Sequence, residues 1–97
     1  MHQTQNFQIF DSVWDAIADS PEEASHLRMR AEFMNAIGER VIQWKVTQAE
    51  AASRLGITQP RLNALLKGKI SRFSLDALVT LAYRAGLNPK VKLAKAA

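Results

Sequence analysis

The 97-residue chain has no cysteine and only two histidines, His2 and His26, which stand far apart without an acidic cluster around either. A disulfide framework is thereby excluded, and neither a metal nor any other cofactor is expected. The lack of cysteine fits a reducing compartment. No apolar run approaches the roughly 18 residues that a membrane span requires. The opening Met1-His2-Gln3-Thr4-Gln5-Asn6 lacks the cationic stretch and hydrophobic core of a signal peptide. A cytoplasmic protein without membrane contact is therefore expected. No histidine neighbours a nucleophile, no glycine-rich loop follows a strand, and no metal-ligand spacing occurs, so an enzyme is not expected. Asp11, Asp15 and Asp19 do fall at i, i+4 and i+8, but that spacing more often marks a solvated acidic face than paired catalytic carboxylates. No internal repeat or low-complexity stretch is visible.

What is present is asymmetric charge. The net charge is +4, yet residues 1–39 carry seven acidic and two basic side chains, while residues 40–97 carry eleven basic and two acidic. The halves are thus −5 and +9. A basic half of this kind is either a solvated surface or the electrostatic footprint of a phosphate-bearing partner. A chain of this length forms one compact domain that buries roughly two-thirds of its surface.

Local signals divide the chain. Phe7, Ile9, Phe10, Val13, Trp14 and Ile17 form an apolar cluster, with Asp11 or Ser12 able to cap a short helix running to about Ala18. Ser20-Pro21-Glu22-Glu23 supplies an N-cap, a proline at the first helical position and the glutamate of a capping box. The helix so opened is predicted to run to about Trp44. Leu27, Ala31, Met34, Ile37 and Val41 form its apolar stripe, widened by Phe33 and Ile42. Gly38 costs about 1 kcal/mol relative to alanine, and a bend or break is expected there.

Two further segments, Thr47–Gly56 and Thr58–Gly68, each begin at a capping threonine and end at a glycine that can stop a helix. Ile57 plugs a turn between them too short to do more than set two helices at a steep angle. A helix-turn-helix is predicted. On its second helix Leu62, Leu65 and Leu66 share one arc and face the core; Pro60, Asn63, Ala64 and Lys67 share the other, with Gln59 and Arg61 flanking. That outer arc is either an ordinary wet face or one that meets bases and phosphates, and the capped partner helix before it favours DNA. After the loop Lys69-Ile70-Ser71-Arg72-Phe73, Ser74 caps another helix to about Ala85, with Leu75, Leu78, Val79 and Ala82 inward and Gly86 as terminator. The tail Asn88–Ala97 contains Lys90-Val91-Lys92-Leu93, an alternation that reads as one short strand.

Thr47-Gln48-Ala49-Glu50-Ala51-Ala52, Gly56, Gln59-Pro60-Arg61 and Leu65-Leu66-Lys67-Gly68-Lys69 resemble the Cro/cI-type (XRE) helix-turn-helix domains. With Phe73-Ser74-Leu75-Asp76-Ala77-Leu78 following and an acidic stretch ahead, the chain is similar to the small HigA-like antitoxins of toxin–antitoxin pairs. The resemblance covers roughly residues 10–93. It implies an all-α, lambda-repressor-like bundle of four to five helices with a short extended C-terminal tail. The organisation expected is residues 1–19 as an N-terminal segment, 20–87 as the DNA-binding domain and 88–97 as the tail. The resemblance also implies that Gln48 contacts the DNA backbone and that Gln59 reads a base edge. Pro60 departs from the polar residue some family members carry there, shifting readout toward Gln59, Arg61 and Asn63.

Physical chemistry supports that division. Glutamine and asparagine pair bidentately with adenine, and arginine with guanine, each good pair adding about 1–3 kcal/mol of discrimination. Gln59, Arg61 and Asn63 are the expected base readers; Gln48, Thr58, Lys67, Lys69 and Arg72 are placed for phosphates. For Lys69 and Arg72 the alternative is a solvated loop. Arg40 and Arg54 are expected to make surface contacts within the protein. One small domain offers few base contacts, so a homodimer on a palindromic operator is expected, its recognition helices about 34 Å apart. Two functions remain open: an antitoxin that represses its own operon, or a stand-alone regulator without a toxin. In the first, Phe10, Trp14 and Asp15 meet a basic, RelE/HigB-like toxin; the alternative is that Phe10, Val13 and Trp14 pack on the long helix or a second subunit.

Overall fold

The computed structural model describes residues 18–95. The expected short helix near the N-terminus and the contact candidates Phe10, Trp14 and Asp15 lie outside the described residues. Four helices follow one another: α1 (Pro21–Trp44), α2 (Gln48–Leu55), α3 (Gln59–Leu66) and α4 (Leu75–Arg84), with a single 3-10 turn, Ile70–Arg72, between the last two. The fold is all-helical.

Each start is fixed by a side chain one residue ahead of the helix. Ser20 Oγ accepts from the Glu23 N–H at 3.1 Å, Thr47 Oγ1 from Glu50 at 3.1 Å, Thr58 Oγ1 from Arg61 at 3.3 Å and Ser74 Oγ from Ala77 at 3.1 Å. Each bond satisfies an N–H that has no partner within its helix. The Glu50 side chain takes no part in the cap at Thr47; its carboxylate accepts from Arg54 Nε at 3.2 Å.

The ends are equally local. Gly56, Gly68 and Gly86 all adopt positive φ. At Gly56 the N–H donates to Ser53 O at 3.1 Å and the next N–H, of Ile57, to Ala52 O at 3.0 Å, the paired bonds of a Schellman motif. Lys45, at the end of α1, holds the same left-handed conformation with φ 54° and ψ 44° although it has a Cβ.

The core lies where α1, α2, α3 and α4 converge. Ile37, Leu55, Leu62, Leu65, Phe73 and Leu78 are fully enclosed, joined by Met34, Val41, Leu81, Ala82 and Ala85. Four expectations require correction. The helix α1 runs through Gly38 without a break, and Gly38 is buried; apolar packing on both sides of it outweighs the propensity cost of about 1 kcal/mol. Ile42 and Val79 are not inward but exposed, because the buried side of α1 runs through Met34, Ile37, Gly38 and Val41 and that of α4 is centred on Leu78, Leu81, Ala82 and Ala85. Ala64 is not on the free side of α3 but buried, 4% exposed: it joins the core cluster, so α3 is enclosed over a wider arc than its leucines mark. Residues 88–95 carry no strand, since an isolated strand has no neighbour here to satisfy its backbone.

Candidate nucleic-acid interface

The turn between α2 and α3 is held from outside as well as by its own bonds. Arg84, at the end of α4, reaches across so that Nη1 donates to Leu55 O at 3.0 Å. A guanidinium there satisfies a terminal carbonyl of α2 and meets the negative end of its dipole. The same group lies against Gly56, where a Cβ would fall 2.8 Å from Nη1. Gly56 thus answers two demands, a left-handed backbone and a close approach.

With the turn fixed, α3 presents one side outward. Thr58, Gln59, Pro60, Asn63 and Lys67 are all exposed, while Leu62 and Leu65 anchor the opposite side with no exposed surface. Gln59 and Asn63 make no side-chain hydrogen bond among the described residues, and neither does Gln48, exposed at the start of α2. Pro60 stands at the second helical position, where no intrahelical N–H is required.

Arg61 is placed differently from its neighbours. Its guanidinium stacks over the Phe73 ring, 4.4 Å from the centroid, and Nη1 donates to Arg72 O at 3.2 Å. The Nε–Nη2 edge is left without a partner among the described residues. This clamp ties α3 to the loop carrying Lys69 and Arg72, both exposed. Phe73 is itself buried and also receives Arg30 Nη1 on its carbonyl at 3.4 Å.

The electrostatics of this side are one-signed. Between Ala51 and Leu75 there are five basic residues and no acidic one. Just ahead, Glu50 is paired with Arg54, whose guanidinium also lies 5.0 Å from the Trp44 ring centroid. Arg54 therefore makes contacts within the protein, and so does Arg40, whose Nη2 donates to Gly86 O at 3.0 Å. What Arg40 and Arg54 lose in these contacts is freedom to turn toward a partner. Arg30, Arg40, Arg61 and Arg84 thus act as long-range caps on carbonyls. Sequence reasoning found a contact within the protein only for Arg40 among them; the carbonyls that Arg30, Arg61 and Arg84 reach lie 11 to 43 residues away and leave no local pattern.

Among the described residues no cluster of three or more His, Cys, Asp or Glu is placed to hold a metal, and no helix is long and apolar enough to cross a membrane. No curated protein matches the chain. The helix-turn-helix domain family matches residues 16–94, spanning all four helices and the turn just described. By that match and by its architecture the chain belongs to the helix-turn-helix domain family, whose fold points to a DNA-binding regulator.

Proposed function

We propose that this protein is a sequence-specific transcriptional repressor that binds a palindromic operator as a homodimer, with α3 in the major groove. The supporting observation is the outward side of α3: exposed Gln59, Pro60 and Asn63 on a capped helix that ends at exposed Lys67, backed by fully enclosed leucines. A major groove about 12 Å wide admits such a helix. Gln59 and Asn63 read adenine edges, and Arg61 contributes through its remaining Nε–Nη2 edge to guanine. Gln48, Thr58, Lys67, Lys69 and Arg72 hold phosphates on either side, together with the N–H groups at the helix starts.

The narrower assignment is the antitoxin and autorepressor of a type II toxin–antitoxin pair. Its support is the resemblance to XRE-type, HigA-like chains and the net charge of −5 over residues 1–39, which suits a basic RelE/HigB-like toxin meeting Phe10, Trp14 and Asp15. Two experiments test these levels separately. Footprinting on the DNA upstream of the protein's own gene should show two protected half-sites related by a dyad; protection without symmetry contradicts the homodimer. Expression of the neighbouring small reading frame should arrest growth, and co-expression of this protein should relieve it. No arrest from any neighbour leaves a stand-alone XRE-type regulator.

A further inference from the structure

The loop that follows α3 has little local support. Its single 3-10 turn, Ile70–Arg72, has no side-chain cap and no buried residue. Lys69, Ser71 and Arg72 are exposed, and of the side chains from Lys69 to Phe73 only Phe73 is fully enclosed. Yet two of the proposed phosphate contacts, Lys69 and Arg72, stand on this segment. A cation whose backbone is ordered only on binding gives up affinity to that ordering, so a fixed loop binds better than a loose one.

Two guanidiniums from different helices supply the fixing. Arg61 of α3 donates from Nη1 to Arg72 O at 3.2 Å and lies over the Phe73 ring. Arg30 of α1 donates from Nη1 to the next carbonyl, Phe73 O, at 3.4 Å, and from Nε to His26 O at 3.5 Å, one turn back on its own helix. Between these grips the loop closes on itself, Arg72 N–H donating to Lys69 O at 3.0 Å and Phe73 N–H to Ile70 O at 3.2 Å. A free carbonyl oxygen beside Arg72 would oppose an approaching phosphate; here both adjacent carbonyls are occupied by cationic donors. Arg61 also has an edge proposed for guanine. Arg30 has no such second use: it is half-buried on α1, in the half of the chain with net charge −5, and its two bonds among the described residues end on main-chain carbonyls.

We infer that Arg30 is a positioning residue for DNA binding. From α1, outside the helix-turn-helix, it holds the backbone at Phe73 so that Lys69 and Arg72 are set for phosphates before any duplex arrives. That role rests on the DNA reading above and adds a residue that itself touches no DNA.

Arg30→Met keeps the length of the side chain and removes its donors. On the duplex upstream of the protein's own gene it should lower affinity about fivefold and the slope of log K against log salt by about one. Sequences enriched from a random pool should stay those of the wild type. Where Lys69→Ala and Arg72→Ala are already present, Arg30→Met should cost less than about twofold, since nothing is left to position. The same loss with and without the loop cations would instead mark general instability or one missing charge, and overturns the inference; so does an unchanged salt slope. Amide hydrogen exchange in the free protein separates this role from the DNA reading. Arg30→Met should speed exchange at Arg72 and Phe73 and leave Leu62 and Leu65 as they are. If the wild type binds no duplex, the DNA reading fails, while exchange still decides whether Arg30 holds the loop. Unaltered exchange at Arg72 and Phe73, or a rise shared by Leu62 and Leu65, refutes that hold whatever the duplex shows.

Discussion

Replacing Gly56 by alanine perturbs the turn in two ways that can be separated by measurement. The backbone there sits at φ 71°, and an L-residue in the left-handed region costs about 1–2 kcal/mol. The new Cβ would also fall 2.8 Å from Arg84 Nη1, closer than carbon and nitrogen tolerate. Arg84 has a flexible end and can move, but only by giving up its bond to Leu55 O. A hydrogen bond to a charged group contributes about 1.5–3 kcal/mol, less here because the bond is only partly buried. Lower entropy of the unfolded chain returns about 0.4–1 kcal/mol. The net expectation is a loss of about 1–3 kcal/mol.

Gly68 provides the control. Its φ is 73° but nothing lies within 4 Å of where a Cβ would stand, so Gly68→Ala carries the backbone cost without the Arg84 cost. Urea unfolding of the two variants should therefore differ by about 1 kcal/mol, with Gly56→Ala the weaker, or by about 4–8 °C in Tm for a domain of this size. In an Arg84→Ala background the gap should close, because the group that Cβ displaces is gone. Equal losses at both glycines, or an unchanged gap without Arg84, would refute the idea that Arg84 braces the turn.

Three further outcomes are expected. Lys45→Gly should stabilise the protein by about 0.5–1 kcal/mol in the same unfolding assay, since Lys45 holds φ 54° at a cost glycine does not bear. Phe73→Ala should cost about 3–5 kcal/mol, because Phe73 is buried and also supports Arg61; a loss below about 1 kcal/mol would contradict its place in the core. Lys67→Ala should weaken DNA binding on every sequence alike and lower the slope of log K against log salt by about one; a sequence-dependent loss would move Lys67 from phosphate to base contact.

The parts of this fold that could be read in the chain are those fixed by neighbours three or four residues apart. Ser20, Thr47, Thr58 and Ser74 cap the helices they precede, and Gly56, Gly68 and Gly86 close the helices they follow. A helical wheel placed Leu62 and Leu65 correctly for the same reason. It failed for Ala64 and Val79 because burial depends on what lies beside the helix as well as on its axis. Ala64 is enclosed with the core cluster, and α4 buries Leu78, Leu81 and Ala82 rather than Val79. Of the arginine contacts, those made by Arg30, Arg61 and Arg84 lay beyond reach, because carbonyls 11 to 43 residues distant leave no local pattern. The alternation at Lys90-Val91-Lys92-Leu93 misled because period-two spacing creates a strand only where another strand can receive it.

The central claim is that the outward side of α3 reads bases. Selection of bound duplexes from a random pool, with the wild type, Gln59→Ala and Asn63→Ala in parallel, addresses it most directly. The wild type should enrich a two-fold symmetric site. Each variant should lose preference at one position per half-site, with salt dependence unchanged. Identical enriched sequences from all three proteins would contradict the claim.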